Sequence, residues 1–225
     1  MCGRFRLSRL EQWLLYLEAL EADPSFAENW NAGYNIAPSQ QVAVVSQRDT
    51  RTVVSSMRWG LIPSWAKEPS IGYKLINARA ETVLEKHAFK NAFLQRRCLI
   101  PADGFYEWKK DGKKKQPYHF GMKDDSTFAF AGIWESWKSP EGKLVESCSV
   151  LTTAPNELVA EVHDRMPVIL PVQHYKLWLF VPATEAARLL KFLEPFDPTE
   201  MCSYPVGLFV SNTKNEGPEC IERIR

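Results

Sequence analysis

An excess of charge of either sign is the first thing this sequence lacks. Its 28 lysines and arginines are matched by 27 aspartates and glutamates, for a formal net charge of +1. That balance argues against a chain-wide basic field of the kind that drives nonspecific nucleic-acid binding. A local basic groove offset by acidic surface elsewhere stays open, because counterion release depends on individual phosphate contacts. Paired cysteines are missing as well. Cys2, Cys98, Cys148, Cys202 and Cys220 are scattered, odd in number and never at C-x-x-C spacing. Neither a disulfide framework nor a thiolate zinc site is suggested, and a reducing compartment fits best. The four histidines, His87, His119, His163 and His174, share no ligand spacing with one another or with the cysteines, so no metal is expected. No apolar run approaches the ~18 residues of a membrane span. Glu11, Glu18 and Glu21 interrupt the first leucine-rich stretch, which argues against a signal peptide. Neither G-x-G-x-x-G nor a P-loop occurs, and no cofactor is expected. The expectation is a soluble cytoplasmic protein, monomeric by default.

What the sequence does have is aromatic and apolar material, 12% and 45% of its residues, enough to fill one sizeable core. Ser8 to Glu11 reads as a capping box opening a helix whose apolar stripe is Leu10, Trp13, Leu14, Leu17 and Leu20. The segment Pro24 to Asn31 should end it. Val42–Ser46 and Val53–Trp59 read as strands around a polar turn at Arg48-Asp49. Thr82 with Glu85 is a second capping-box signal, for a helix running to about Arg96. Five further strands follow: Cys98–Pro101, Phe105–Lys109, Gln116–Met122, Phe128–Trp134 and Leu144–Thr153. Asp111-Gly112 and Pro140-Glu141-Gly142 supply turns between them. Pro155 opens a short helix ending near Val162, Val172–Phe180 and Thr184–Leu193 read as two more, and Pro205–Val210 as a last strand. There is no repeat or linker. The pattern predicts one α+β domain over residues 1–225, with a mixed, largely antiparallel, barrel-like sheet and peripheral helices. Five lysines between Lys109 and Lys115 straddle a hairpin turn and read as a solvated tip.

Four segments could carry chemistry. Once Met1 is removed, Cys2 presents an α-amine and a thiol on adjacent carbons. Such a 1,2-aminothiol condenses with an aldehyde to an imine and closes a thiazolidine ring. An α-amine titrates near ~7.7–8.0, so a useful fraction is nucleophilic at physiological pH. Position alone favours a cysteine that merely follows the start. Asn77, in Ile76–Thr82, offers a donor and an acceptor, or fixes a loop. Glu107 lies among aromatics in Pro101–Trp108. It either faces solvent by strand alternation or is a carboxyl whose apolar surroundings suit acid–base work. His163-Asp164-Arg165 could relay protons and grip a phosphate, or form a local salt-bridged loop. An amidohydrolase with Cys2 as N-terminal nucleophile, and a noncatalytic single-strand-binding module, remain compatible with these residues.

In order along the chain stand Met1-Cys2-Gly3-Arg4-Phe5, Tyr34–Pro38, Arg58–Trp65, Ile76–Thr82, Arg97–Pro101, Gly104–Trp108, His163–Pro167 and Asn215–Cys220. This ordered set spans nearly the whole chain and resembles the SOS-response-associated peptidase (SRAP) family. The resemblance implies loss of the initiator methionine and a covalent thiazolidine crosslink between Cys2 and the ring-opened sugar aldehyde of an abasic site in single-stranded DNA. It implies Glu107 as acid–base catalyst, His163 as the group that helps open the sugar, and Asn77 as an orienting group. Gly3, Arg4, Asn35, Pro38, Trp65, Arg79, Trp108 and Arg165 would line the DNA path. The peptidase label would refer to self-removal of the N-terminal residue, and association with the bacterial nucleoid would follow damage. Some relatives carry a second aromatic after the position of Trp65, where this chain has Ala66.

Overall fold

A computed structural model describes residues 2–23, 33–112 and 114–224. The chain runs β1 (Phe5–Leu7), α1 (Leu10–Ala19), β2 (Gly33–Ile36), β3 (Gln41–Arg48), β4 (Arg51–Trp59), β5 (Asn77–Arg79), α2 (His87–Gln95), β6 (Arg97–Ala102) and β7 (Gly104–Asp111). It continues through β8 (Lys114–Met122), β9 (Phe128–Lys138), β10 (Leu144–Thr153), α3 (Glu157–Ala160), β11 (Met166–Pro167), β12 (Ile169–Leu170), α4 (Tyr175–Phe180) and β13 (Met201–Pro205). Short 3-10 turns fill several connections.

Five strands close on themselves in the cycle β10-β4-β3-β6-β9, with β9 pairing back to β10. Within that ring only the β10–β4 contact is parallel; the others are antiparallel. A second, wholly antiparallel sheet runs β13-β8-β7-β1-β2. The expected α+β architecture, with its barrel-like and largely antiparallel core, is therefore what the chain adopts. The two sheets meet through aromatic side chains. Phe5 of β1 sets its ring 5.1 Å from Trp59 of β4 and 5.7 Å from Phe130 of β9, both edge-on. Such edge-to-face contacts add about 0.5–1.5 kcal/mol each to the area they bury.

Turn chemistry decides the hairpins. Gly112 (φ 56°) and Gly142 (φ 86°) occupy left-handed conformations at the β7–β8 and β9–β10 reversals, where a side chain would be strained. The helix starts differ from expectation. The first helix begins at Leu10 with Arg9 before it and no side-chain cap. Ser8 is drawn away instead: its N–H and hydroxyl donate to Asp103 Oδ2 at 2.7 and 2.9 Å. Thr82 closes a 3-10 turn, and α2 starts only at His87. Of the apolar stripe, Trp13, Leu17 and Leu20 are buried while Leu14 is exposed. The segment expected to end that helix, residues 24–31, falls outside the described residues. The last strand is Met201–Pro205, paired with β8, and Leu208–Ser211 form a 3-10 turn rather than a strand. Among the described residues no helix is long and apolar enough to cross a membrane.

Candidate active site

Strand register brings Cys2 to Glu107. Phe5 pairs with Phe105 and Arg6 with Gly104. The ladder continues beyond them, since the Tyr106 N–H donates to the Arg4 carbonyl at 3.0 Å. Residues 2–4 therefore run alongside Glu107 and Trp108. Strand alternation does not expose Glu107. Tyr106 and Glu107 are both buried, because β7 is covered on both faces. Burial pushes the Glu107 carboxyl up to about 7. A carboxyl so placed can give a proton and take one back at neutral pH.

β10 sets the opposite wall. Asn77 stands on β5, parallel to β10 and in register with Val150. Its Nδ2 donates to the Cys2 carbonyl at 2.7 Å, fixing the backbone at Cys2. β11 pairs along the end of β10, Met166 opposite Thr153, and anchors the loop that carries His163. The imidazole Nε2 comes within 3.8 Å of Glu107 Oε2. Nδ1 has the Arg165 N–H at 3.1 Å, Asp164 Oδ1 at 3.1 Å and the Arg165 carbonyl at 3.3 Å around it, so it can accept or donate according to the tautomer. Burial lowers the His163 pKa and favours the neutral form. The Cys2 thiol is fully buried, with Sγ 3.9 Å from the Arg4 carbonyl. Burial first, and the negative charge of Glu107 second, push its pKa far above the ordinary range. Cys2, Asn77, Glu107 and His163 thus occupy one site.

The remaining candidates divide by environment. Arg79 is exposed and Gly3 half-buried. Trp65 is 51% exposed, its ring 5.2 Å from His87. Pro38 is half-buried in the turn between β2 and β3. Trp108 donates through Nε1 to Ser211 Oγ at 3.1 Å. Arg165 grips Glu81 with two hydrogen bonds of 2.6 and 2.9 Å and donates to the Thr152 carbonyl. Arg4 and Asn35 are internal. Arg4 Nη1 donates to Asn35 Oδ1 at 2.6 Å and to the Val210 carbonyl at 2.7 Å. Asn35 Nδ2 reaches the carbonyls of Val210, Asn212 and Asn215. Sequence reasoning missed this latch and the acceptor role of Asp103, which takes donors from Arg6, Ser8 and Arg9. Asp103 directly precedes the Gly-Phe-Tyr-Glu-Trp segment, but nothing local marks it as a partner of residues some 95 positions away. Among the described residues, no group of three or more His, Cys, Asp or Glu is placed to hold a metal.

Residues 1–213 match the family described as SOS response associated peptidase (SRAP). The chain belongs to the SRAP family. It is 43% identical over 224 residues to the abasic site processing protein YoqW of Bacillus subtilis (strain 168), with 99% of each chain covered. It is 32% identical over 229 residues to the abasic site processing protein YedK of Escherichia coli (strain K12), with all of both chains covered. A crystal structure of a protein from Bacteroides thetaiotaomicron superposes over the full length of both chains, with a TM-score of 0.86 at 26% identity.

Proposed function

We propose that this chain processes abasic sites by forming a thiazolidine crosslink between Cys2, freed by removal of Met1, and the lesion sugar in single-stranded DNA. The observation that carries the reading is the meeting of four groups: Asn77 on the Cys2 carbonyl, and Glu107 between Cys2 and His163. The names of the relatives as abasic site processing proteins point the same way.

The chemistry balances without a cofactor. His163 and Glu107 move the hydroxyl proton that lets the cyclic sugar open to its aldehyde. The neutral α-amine of Cys2 adds to the aldehyde carbon, giving a carbinolamine. Glu107, protonated in part near neutrality, donates to the departing hydroxyl, and water leaves as the C=N bond forms. The Cys2 thiol is held protonated by burial, so it adds only as a base accepts its proton. The carboxylate that has just given its proton is that base, and it keeps the thiol proton, regenerating the acid. As sulfur closes the ring, the C=N electron pair moves onto the iminium nitrogen, which already carries its hydrogen. Asn77 holds the backbone so that amine and thiol face one carbon, the positioning effect that converts encounter into reaction. The same carboxyl near the chain's start would assist self-removal of Met1. Arg79 and Arg165 would hold phosphates, while Trp65, Trp108, Pro38 and Gly3 shape the strand path, stacking being worth ~1–3 kcal/mol per base.

The test is a denaturing gel of the Met1-processed protein with a single-stranded oligonucleotide carrying one abasic site. A shifted covalent band is expected from wild type and none from Cys2→Ala. No wild-type band, or an undiminished band from the variant, would sink the proposal.

A further inference from the structure

The lysines beyond Trp108 lie on the same hairpin as the reacting carboxyl. Glu107, Trp108, Lys109 and Lys110 are consecutive on β7, and β8 returns with Lys110 opposite Lys115. Lys109, Lys110, Lys114 and Lys115 are all exposed. None of them takes part in an ion pair among the described residues, whereas Arg6, Arg9, Arg48, Arg96, Arg165 and Arg188 each do. In a chain of net charge +1, four exposed cations on one arm, in no ion pair among the described residues, form a local field rather than part of a general one. The arm starts at the site: at about 3.3 Å per residue, Lys110 lies only about 10 Å along the strand from Glu107. Its charge is also felt at His163. The arm is rigidly based, with Tyr106 bonded through its hydroxyl to the Tyr34 carbonyl at 2.7 Å and Gln116 to the Val206 carbonyl at 2.7 Å.

We propose that the β7–β8 hairpin is a phosphate-binding arm that holds the DNA backbone flanking the lesion through Lys109, Lys110, Lys114 and Lys115. The proposal rests on the reading of the substrate as single-stranded DNA. It adds a binding surface apart from Arg79 and Arg165. Lysine suits this role, since a flexible point charge neutralises a phosphate without fixing its orientation.

The experiment compares wild type with a variant carrying Lys109→Gln, Lys110→Gln, Lys114→Gln and Lys115→Gln. A control removes equal charge elsewhere, at Lys138, Lys143, Lys176 and Lys191. The primary readout is noncovalent affinity for an undamaged single-stranded oligonucleotide as a function of salt. Each lysine–phosphate pairing on a single strand should steepen the slope of log K against log salt by ~0.7. A hairpin variant without two or three such pairings should therefore have a slope shallower by about 1.4–2, with the control near wild type. Thiazolidine formation with acetaldehyde, followed by intact mass, should proceed at the wild-type rate in the hairpin variant. An unchanged slope overturns the arm, as does an equal change in the control or a matching loss of reaction with acetaldehyde. If wild type forms no crosslink with abasic DNA, the reading of Cys2 falls while the salt slope still decides the arm.

Discussion

Glu107 is held in a place that suits reaction better than it suits folding. Its carboxyl, raised by burial to about 7 from an ordinary 4.5, binds a proton in the folded chain that it releases in the unfolded one. Folding is favoured by that proton below about pH 4.5, and the favour is lost as pH rises through about 7. Glu107→Gln removes the titration while keeping the shape. The variant should therefore be more stable than wild type at pH 8, by about 1–3 kcal/mol, and should lose the advantage in acid. Denaturant melts at the two pH values check this. Crosslinking should move the other way, slowing by about 10²–10⁴-fold. The inflection near neutrality in wild-type single-turnover rates should disappear with it. A variant that kept the inflection would assign the titration to another group. Stability and activity pulling apart at one residue is the usual mark of a functional position.

At the scale of elements, β7 depends on a missing side chain. A Cβ at Gly104 would lie 2.2 Å from His119 Nε2 on β8. The imidazole cannot easily withdraw: it is buried between Tyr106 and Tyr204, at 5.5 and 5.0 Å, and burial pushes its pKa down to about 3. Gly104→Ala should destabilise the fold by about 1–3 kcal/mol through overpacking. Adding His119→Ala should restore part of that, a coupling read from a double-mutant cycle of thermal melts. If the two substitutions were additive, the clash would not be the cause. Elements of this kind show where sequence reading succeeds and stops. The antiparallel runs were legible because alternation and the turn residues Gly112 and Gly142 are local signals. Ring closure by the parallel pairing of Cys148 with Trp59 was not. Parallel pairing across so many intervening residues leaves no mark in either strand alone. Ser8 misled for a related reason, since its hydroxyl serves Asp103 across the sheet rather than its own helix.

The two ends of the molecule are tied together through two buried side chains, Arg4 and Asn35. Asn35 accepts from Arg4, two residues beyond Cys2, and donates to three carbonyls between Val210 and Asn215. Asn35→Ala removes its four hydrogen bonds, while Arg4 keeps its bond to the Val210 carbonyl, and should destabilise by about 1–3 kcal/mol. Hydrogen exchange should then rise together in residues 4–7 and 208–220; a rise confined to one of them would show that the ends are held independently. In the sequence, Arg4 and Asn35 read as DNA contacts. A buried arginine capping a backbone carbonyl some two hundred residues away has the same sequence signature as an arginine awaiting a phosphate. Cys2, Asn77, Glu107 and His163 could be singled out only together, because each short segment alone also allows a structural role and the ordered resemblance supplied the rest. What placed them together was sheet register, a property of the assembled chain.

The depth of Cys2 also has a bearing on how long the reagent keeps. Oxidants and alkylating agents consume the thiolate, and this thiol is both sealed from solvent and held protonated. Held so, it is chemically silent toward them. Burial thus works as a safety catch on the thiol.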